Sequence, residues 1–193
     1  WNISKVTNIA EMFAGASSFN QDISDWNTSA VTDMINIFGG TNALSNSQKG
    51  KIHKASSSNP NWTTDWSEFV TYEPITDANF QDAVNLWFSN QSDANASYGH
   101  ISDWNVSAVT NMSNAFKDRA TFNEDISGWD VSSVKNFYRM FKSASSFNQP
   151  IGDWNMSSAT SLNGMFDEAS SFNQPIGNWD VSKVNDFSST FHK

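Results

Sequence analysis

The sequence predicts an α/β repeat solenoid with one coil per 25-residue period, each coil a short strand followed by a short helix. Three observations predict it. Trp104, Trp129, Trp154 and Trp179 recur at a constant step of 25, and Trp1 and Trp26 show the same step. With each of these Trp residues as position 1 of a unit, position 4 is Ser (Ser4, Ser29, Ser107, Ser132, Ser157, Ser182) and position 13 is Phe (Phe13, Phe38, Phe116, Phe141, Phe166, Phe191) in all six copies. Four copies add Phe-Asn followed by Ile: Phe19-Asn20-Ile23, Phe122-Asn123-Ile126, Phe147-Asn148-Ile151 and Phe172-Asn173-Ile176. A unit this short cannot bury a core of its own, so successive copies must stack.

Within a coil, each element has its own signal. Trp129 and Val131 alternate around Asp130, which predicts a very short strand. Ser132 stands where a hydroxyl can cap a helix. Val134, Phe137, Met140, Phe141 and Ala144 follow a spacing of 3, 3, 1 and 3, which predicts one face of that helix. Phe147-Asn148 through Ile151 returns the chain to the next Trp. Stacking would align Trp104, Trp129, Trp154 and Trp179 into a ladder. It would also bury a ladder of Asn123, Asn148 and Asn173, with Asn20 at the same position, their amides satisfying turn backbone.

This unit resembles the 25- to 26-residue repeat of the BspA-like bacterial surface proteins, distant relatives of leucine-rich repeats. The resemblance rests on WNISKVTNIAEMFAGASSFNQDISDW at 1–26, WDVSSVKNFYRMFKSASSFNQPIGDW at 129–154 and their sister copies, about 130 of the 193 residues. It implies a right-handed, leucine-rich-repeat-like solenoid on a secreted or surface-attached protein of a kind often linked with adhesion.

Between the second and third copies the period disappears, since the step from Trp26 to Trp104 is 78. Gln48–Lys54 is a short basic helix candidate, Asn59-Pro60 a turn, and Trp62 and Trp66 an aromatic pair. Pro74 discourages helix in the stretch before it. From Thr76 to Asn90, the spacing of Phe80, Ala83, Val84, Trp87 and Phe88 predicts an amphipathic helix. Repeat arrays need atypical units to cover their apolar ends, and the resemblance extends to such caps. The expected organisation is therefore two repeats ending a first array (1–40), its C-terminal cap (41–66), a linker (67–75), the N-terminal helical cap of a second array (76–103), and three and a half further repeats (104–193).

Composition narrows function. The chain carries a formal net charge of −9 with pI near 4.5, which argues against nucleic acid and against an anionic membrane surface. It has no Cys, hence no disulfide, thiolate metal site or cysteine nucleophile. No run approaches the roughly 18 apolar residues that span a bilayer, so no membrane insertion of this segment is expected. The chain opens on Trp1, which suggests a processed form or a fragment. Leu, Ile, Val and Phe together make up only about 20% of residues, at the edge of the composition expected of disordered chains. Yet 15 Phe and 9 Trp, with 31 Ser and 24 Asn, fit ladders and turns repeated at a fixed period.

Candidate sites are few. His53, His100 and His192 lie in unrelated contexts, and no phosphate loop, HExxH or paired-carboxylate motif occurs, so no catalytic residue and no enzyme activity is expected. No cofactor is expected either. A calcium site through carboxylates such as Asp103, Asp130, Asp153 and Asp180 beside the Trp ladder is conceivable, although turn capping explains these carboxylates more simply. Eight Asn-x-Ser/Thr triplets occur, and Asn2, Asn27, Asn105 and Asn155 share one repeat position that suits a turn cap. The candidate partner surface is basic: Lys135, Tyr138, Arg139 and Lys142 at spacings of 3, 1 and 3 on a helix face, with Lys117 one period before Lys142. The expected function is a non-catalytic, extracellular or cell-surface module that binds a protein or cell-surface ligand, as in adhesion. The alternative is a structural filament subunit that self-associates head to tail.

Overall fold

The computed structural model describes residues 1–192; Lys193, the last residue of the expected second array, lies outside the described residues. The chain divides into two units, Trp1–Tyr72 and Glu73 onward. In both, the repeats pack one against the next, but the expected α/β solenoid of strand-and-helix coils is overturned. Among the described residues the repeats contain no helix and no extended strand. Pairing reduces to isolated parallel bridges at position 8, Asn8 with Asp33, Asn111 with Asn136, Asn136 with Ser161 and Ser161 with Asp186.

The backbone replaces the expected helix with a run of overlapping turns. In the repeat led by Trp129, Met140 N–H donates to Phe137 C=O (3.1 Å), Lys142 to Arg139 (3.2 Å) and Ala144 to Phe141 (3.0 Å). The intervening N–H groups leave for the next repeat: Phe137 to Ser161 (3.1 Å), Arg139 to Asn163 (2.9 Å), Phe141 to Met165 (2.9 Å) and Ser143 to Asp167 (2.7 Å). An α-helix would spend every N–H on the carbonyl four residues back, leaving none to join neighbours. Sending alternate N–H groups outward goes with a left-handed turn at every fourth residue of the run. Position 11 has positive φ in every copy (Glu11, Asn36, Asn114, Arg139, Gly164, Ser189), and so does position 15 at Gly15, Gly40, Asp118, Ser143 and Glu168. Each non-glycine there costs about 1 kcal/mol, offset at Glu11, Asn114, Asp118, Arg139, Ser143 and Glu168 by the bond the N–H makes to the next repeat. The 3, 3, 1, 3 spacing does not separate the two structures, because turns closing at i+3 also bring positions 9, 12, 13 and 16 to one side.

Short polar side chains finish the backbone accounting. Position 8 accepts the N–H of position 10 in all six copies: Asn8, Asp33, Asn111, Asn136 and Asp186 through Oδ1, and Ser161 through Oγ. Ser132 is not a helix cap; its own N–H donates to Asp130 Oδ1 (3.0 Å). A chain of turns stays stable because these side chains meet backbone donors that no ladder partner reaches.

Aromatic rings fill the interior. Phe141 stacks on Phe116 (5.5 Å) and Phe166 (5.6 Å) across repeats and on Phe147 (3.9 Å) within its own. The buried Trp residues also tie non-adjacent segments, since Trp129, Trp154 and Trp179 donate Nε1–H to the carbonyls of Ile101 (2.8 Å), Ile126 (3.2 Å) and Ile151 (3.0 Å). The Asn ladder exists but is not buried. Asn123, Asn148 and Asn173 are exposed; Asn123 Oδ1 accepts Asn148 N–H and Asn148 Oδ1 accepts Asn173 N–H, both at 2.9 Å. They stand on the outer bend, where an amide can bridge two repeats without being desolvated.

Three α-helices lie outside the repeats. In the first unit α1 (Asn46–Ser56), capped by Ser45, covers the span read as a basic helix. After it, Asn59 Nδ2 donates to Thr28 and Val31 C=O (2.7 and 3.0 Å), and Trp62 and Trp66 pack on Phe38 (6.3 and 5.0 Å). In the second unit α2 (Phe80–Ser89) and α3 (Gln91–Tyr98) cover the repeat led by Trp104: Trp87 and Tyr98 meet Trp104, and Phe88 meets Phe116 and Phe122. Asp77, just before α2, accepts Thr110 N–H (2.7 Å), Asn111 N–H (3.1 Å) and the Thr110 hydroxyl. In full repeats the equivalent N–H groups reach the matching carbonyl of the repeat before, as Lys135 reaches Thr110 (2.8 Å). The Asp77 carboxylate thus takes the place of the carbonyl that a preceding repeat would offer.

Candidate interaction surface

The turn run sorts side chains by position. In the repeats led by Trp104, Trp129 and Trp154, positions 9, 12 and 13 are apolar and buried, whereas positions 7, 10, 11 and 14 are at least partly exposed, Gly164 and Asp167 apart, and change from copy to copy. In the second unit position 10 is Ser113, Tyr138, Asn163 and Ser188, and position 14 is Lys117, Lys142, Asp167 and His192. Because the backbone of each repeat is bonded to its neighbours, these side chains stand in fixed columns on a stiff support.

The five residues read as a basic helix face lie on this turn run. Two of them are neutralised locally. Lys142 forms an ion pair with Asp167, one repeat further on, and the other oxygen of Asp167 meets His192 Nδ1 at 3.0 Å. Asp167 is buried, and the Lys142 ammonium, foremost, holds its carboxyl below the usual range and is itself pushed up by the same bond. Lys117 lies 3.7 Å from the Asp118 carboxylate. The other three form the candidate contact. The Arg139 guanidinium lies over the Tyr138 ring at 4.8 Å, a cation–π arrangement, and Lys135 is exposed with no ion pair among the described residues. Arg139 has φ +51°, and the next residue in its column is Gly164, where a Cβ would come within 3.0 Å of Arg139 Cγ. The missing side chain gives the arginine room to lie flat.

The Asp167 pair sets a pH signature. A carboxyl held below its unfolded value contributes stability that is complete above about pH 4 and fades as pH falls further. Asp167→Asn should lower the Tm of the second unit by several degrees at neutral pH. It should also remove part of the stability lost by the wild type on acidification below about pH 4, which calorimetry across that range checks.

The other sequence-nominated residues are dispersed. His53 lies against Trp62, His100 against Ser102 and Trp87, and His192 against Asp167. Asp130 and Asp180 each accept a serine N–H two residues on (3.0 Å), and Asp103 accepts from the Ser102 hydroxyl (3.2 Å). Asn2, Asn27, Asn105 and Asn155 close the same turn from position 2, at 3.0 to 3.2 Å. Among the described residues no group of three or more His, Cys, Asp or Glu could hold a metal ion, and no helix is long and apolar enough to cross a membrane. Sequence reasoning missed position 8 and Asp77. The signal for position 8 was present, since Asn, Asp and Ser alone occupy it in six copies; Asp77 has no counterpart in the period.

A family model described as "Mycoplasma protein of unknown function, DUF285" matches residues 1–68 and 81–193, a span that includes all six Trp-led repeats. No curated protein and no solved structure matches the chain significantly. The match agrees with a bacterial surface-repeat family and does not single out the BspA-like group. By repeat and by matched span, the chain belongs to the DUF285 family.

Proposed function

We propose that the chain is a non-catalytic display module of a cell-surface protein, which binds an acidic protein partner through Lys135, Tyr138 and Arg139. The observation that carries this reading is the division of labour within the repeat. Across the repeats led by Trp104, Trp129 and Trp154 the buried positions 9, 12 and 13 stay apolar, while positions 7, 10, 11 and 14 of the same bonded turn run take Thr, Lys, Ser, Tyr, Asn, Arg, Gly or Asp. A support held constant under a variable face is how repeat proteins present binding surfaces. On a chain of net charge −9, an arginine laid on a tyrosine beside an exposed lysine is a local basic feature that an acidic partner can engage.

The test is binding of the purified chain to cultured host cells and to a panel of extracellular-matrix proteins, measured beside the Lys135→Glu/Arg139→Glu variant. Saturable binding is expected, weakened at least about tenfold in the variant, the scale of a lost interfacial charge pair, with Tm unchanged. Equal binding by both proteins removes the assignment of this surface. Sedimentation of the unliganded chain as long polymers would instead favour head-to-tail assembly.

A further inference from the structure

In the first unit one histidine nitrogen faces two kinds of neighbour that cannot be satisfied together. His53, on α1, is partly buried. Its Nδ1 lies 3.1 Å from Trp62 Nε1 and 3.2 Å from the Trp66 main-chain nitrogen, both N–H donors. The same nitrogen lies 3.2 Å from the Thr64 carbonyl oxygen, an acceptor only. In the neutral ring with its proton on Nε2, Nδ1 offers one lone pair, which the two tryptophan N–H groups share. In the protonated ring Nδ1 is a donor: it can bond Thr64 C=O and can no longer accept from Trp62 or Trp66. Starting from the Nε2–H form, gaining a proton thus exchanges one set of bonds for the other.

What hangs on those bonds is the aromatic cover of the second repeat. Trp62 and Trp66 pack on each other at 6.0 Å and on the buried Phe38, and the Trp62 ring stands edge-on to His53 at 6.2 Å. We propose that His53 is a proton-operated latch, which holds the Trp62–Trp66 pair over Phe38 when neutral and releases it when protonated. The charged and titratable neighbours are accounted for. On the facing segment, the Asp65 carboxylate is bound to Ser67 N–H at 3.0 Å; Glu68 lies in the short 3₁₀ turn Ser67–Phe69 packed against α1, and Tyr72 follows. On α1 itself, Lys49 lies over Phe69, Lys54 over Tyr72, and Lys51 pairs with Asp22 of the first repeat at 2.7 Å. None of these side-chain types ordinarily titrates between about pH 5 and 8, where histidine does, and His53 is the one histidine of this unit.

NMR on the full chain tests the latch. At about pH 7.5, about one unit above the usual imidazole value, the His53 ring nitrogens should report the Nε2–H form. At about pH 5 the Trp62 indole and Trp66 amide protons should lose at least about tenfold of their exchange protection, corrected for intrinsic rates, as two hydrogen bonds open. His53→Asn places a non-titrating oxygen near the site of Nδ1 and should keep that protection at both pH values. An Nδ1–H form at neutral pH, unchanged protection in the wild type on acidification, or an equal loss in His53→Asn each overturns the proposal. Should His53→Asn not fold, the ring-nitrogen and wild-type readings decide it alone.

Discussion

Phe141→Ala is expected to destabilise the second unit by about 4 kcal/mol, the range found for emptying a buried phenylalanine site. Phe141 has no exposed surface and touches three phenylalanine rings, Phe116 and Phe166 in the adjoining repeats and Phe147 in its own. Removing it leaves a cavity in the middle of a column, where neighbours fixed by backbone bonds on both sides cannot collapse inward. Each lost ring pair adds to the transfer term by about 0.5–1.5 kcal/mol. Native-state hydrogen exchange at the Arg139 and Phe141 amides, which bond Asn163 and Met165, reads the loss directly. Phe191 occupies the same repeat position but is 57% exposed and, among the described residues, stacks only on Phe166. Phe191→Ala should cost about 1 kcal/mol or less, so comparable losses for the two would refute the column as the source of stability.

Gly50→Ala should destabilise the first unit by about 2–3 kcal/mol, the scale of an overpacked site, although the residue lies inside α1. Helix propensity alone predicts the opposite sign, a gain of about 1 kcal/mol. Packing reverses it: a methyl on Gly50 would be driven into the Phe69 carbonyl, with Val70 Cα close behind. That neighbour is backbone of the 3₁₀ turn and cannot swing aside as a side chain could. Urea unfolding of the variant followed through Trp62 and Trp66 measures the change. An unaltered or raised midpoint would show that α1 and the turn can separate at no cost.

The repeat boundaries, the inward columns and the segments that fold as α1 and α2 were all legible in the sequence, because spacing alone reports which residues share a side. The conformation of the repeat was not. Val134, Phe137, Met140, Phe141 and Ala144 satisfy a helical face and a chain of turns equally well. What decides between them is whether Arg139 and Ser143 can turn left-handed, and neither residue type announces that. The glycines at positions 15 and 164 hinted at it, but non-glycines hold most of the equivalent places. The five candidate contact residues were legible, but the pairing of two of them with Asp167 and Asp118 was not, since it depends on which side chains meet across a repeat or beside one another. The latch at His53 was illegible for a related reason: Trp62, Thr64 and Trp66 converge on one nitrogen only after the chain has turned at Asn59-Pro60.

The register of the turn run bears on how such genes can change length. At each boundary in the second unit the donated N–H meets the carbonyl one place short of a full period further on, from Met112 with Asn136 to Phe166 with Thr190. The indole bonds to the isoleucine carbonyls keep one constant offset throughout, from Trp129 with Ile101 to Trp179 with Ile151. Excising one 25-residue block, as unequal crossing-over between copies would, brings residues of identical position face to face and restores the same donors to the same acceptors. The molecule can therefore grow or shrink in whole repeats without redesigning its interior, and the reach of the surface it presents becomes a heritable quantity set by copy number.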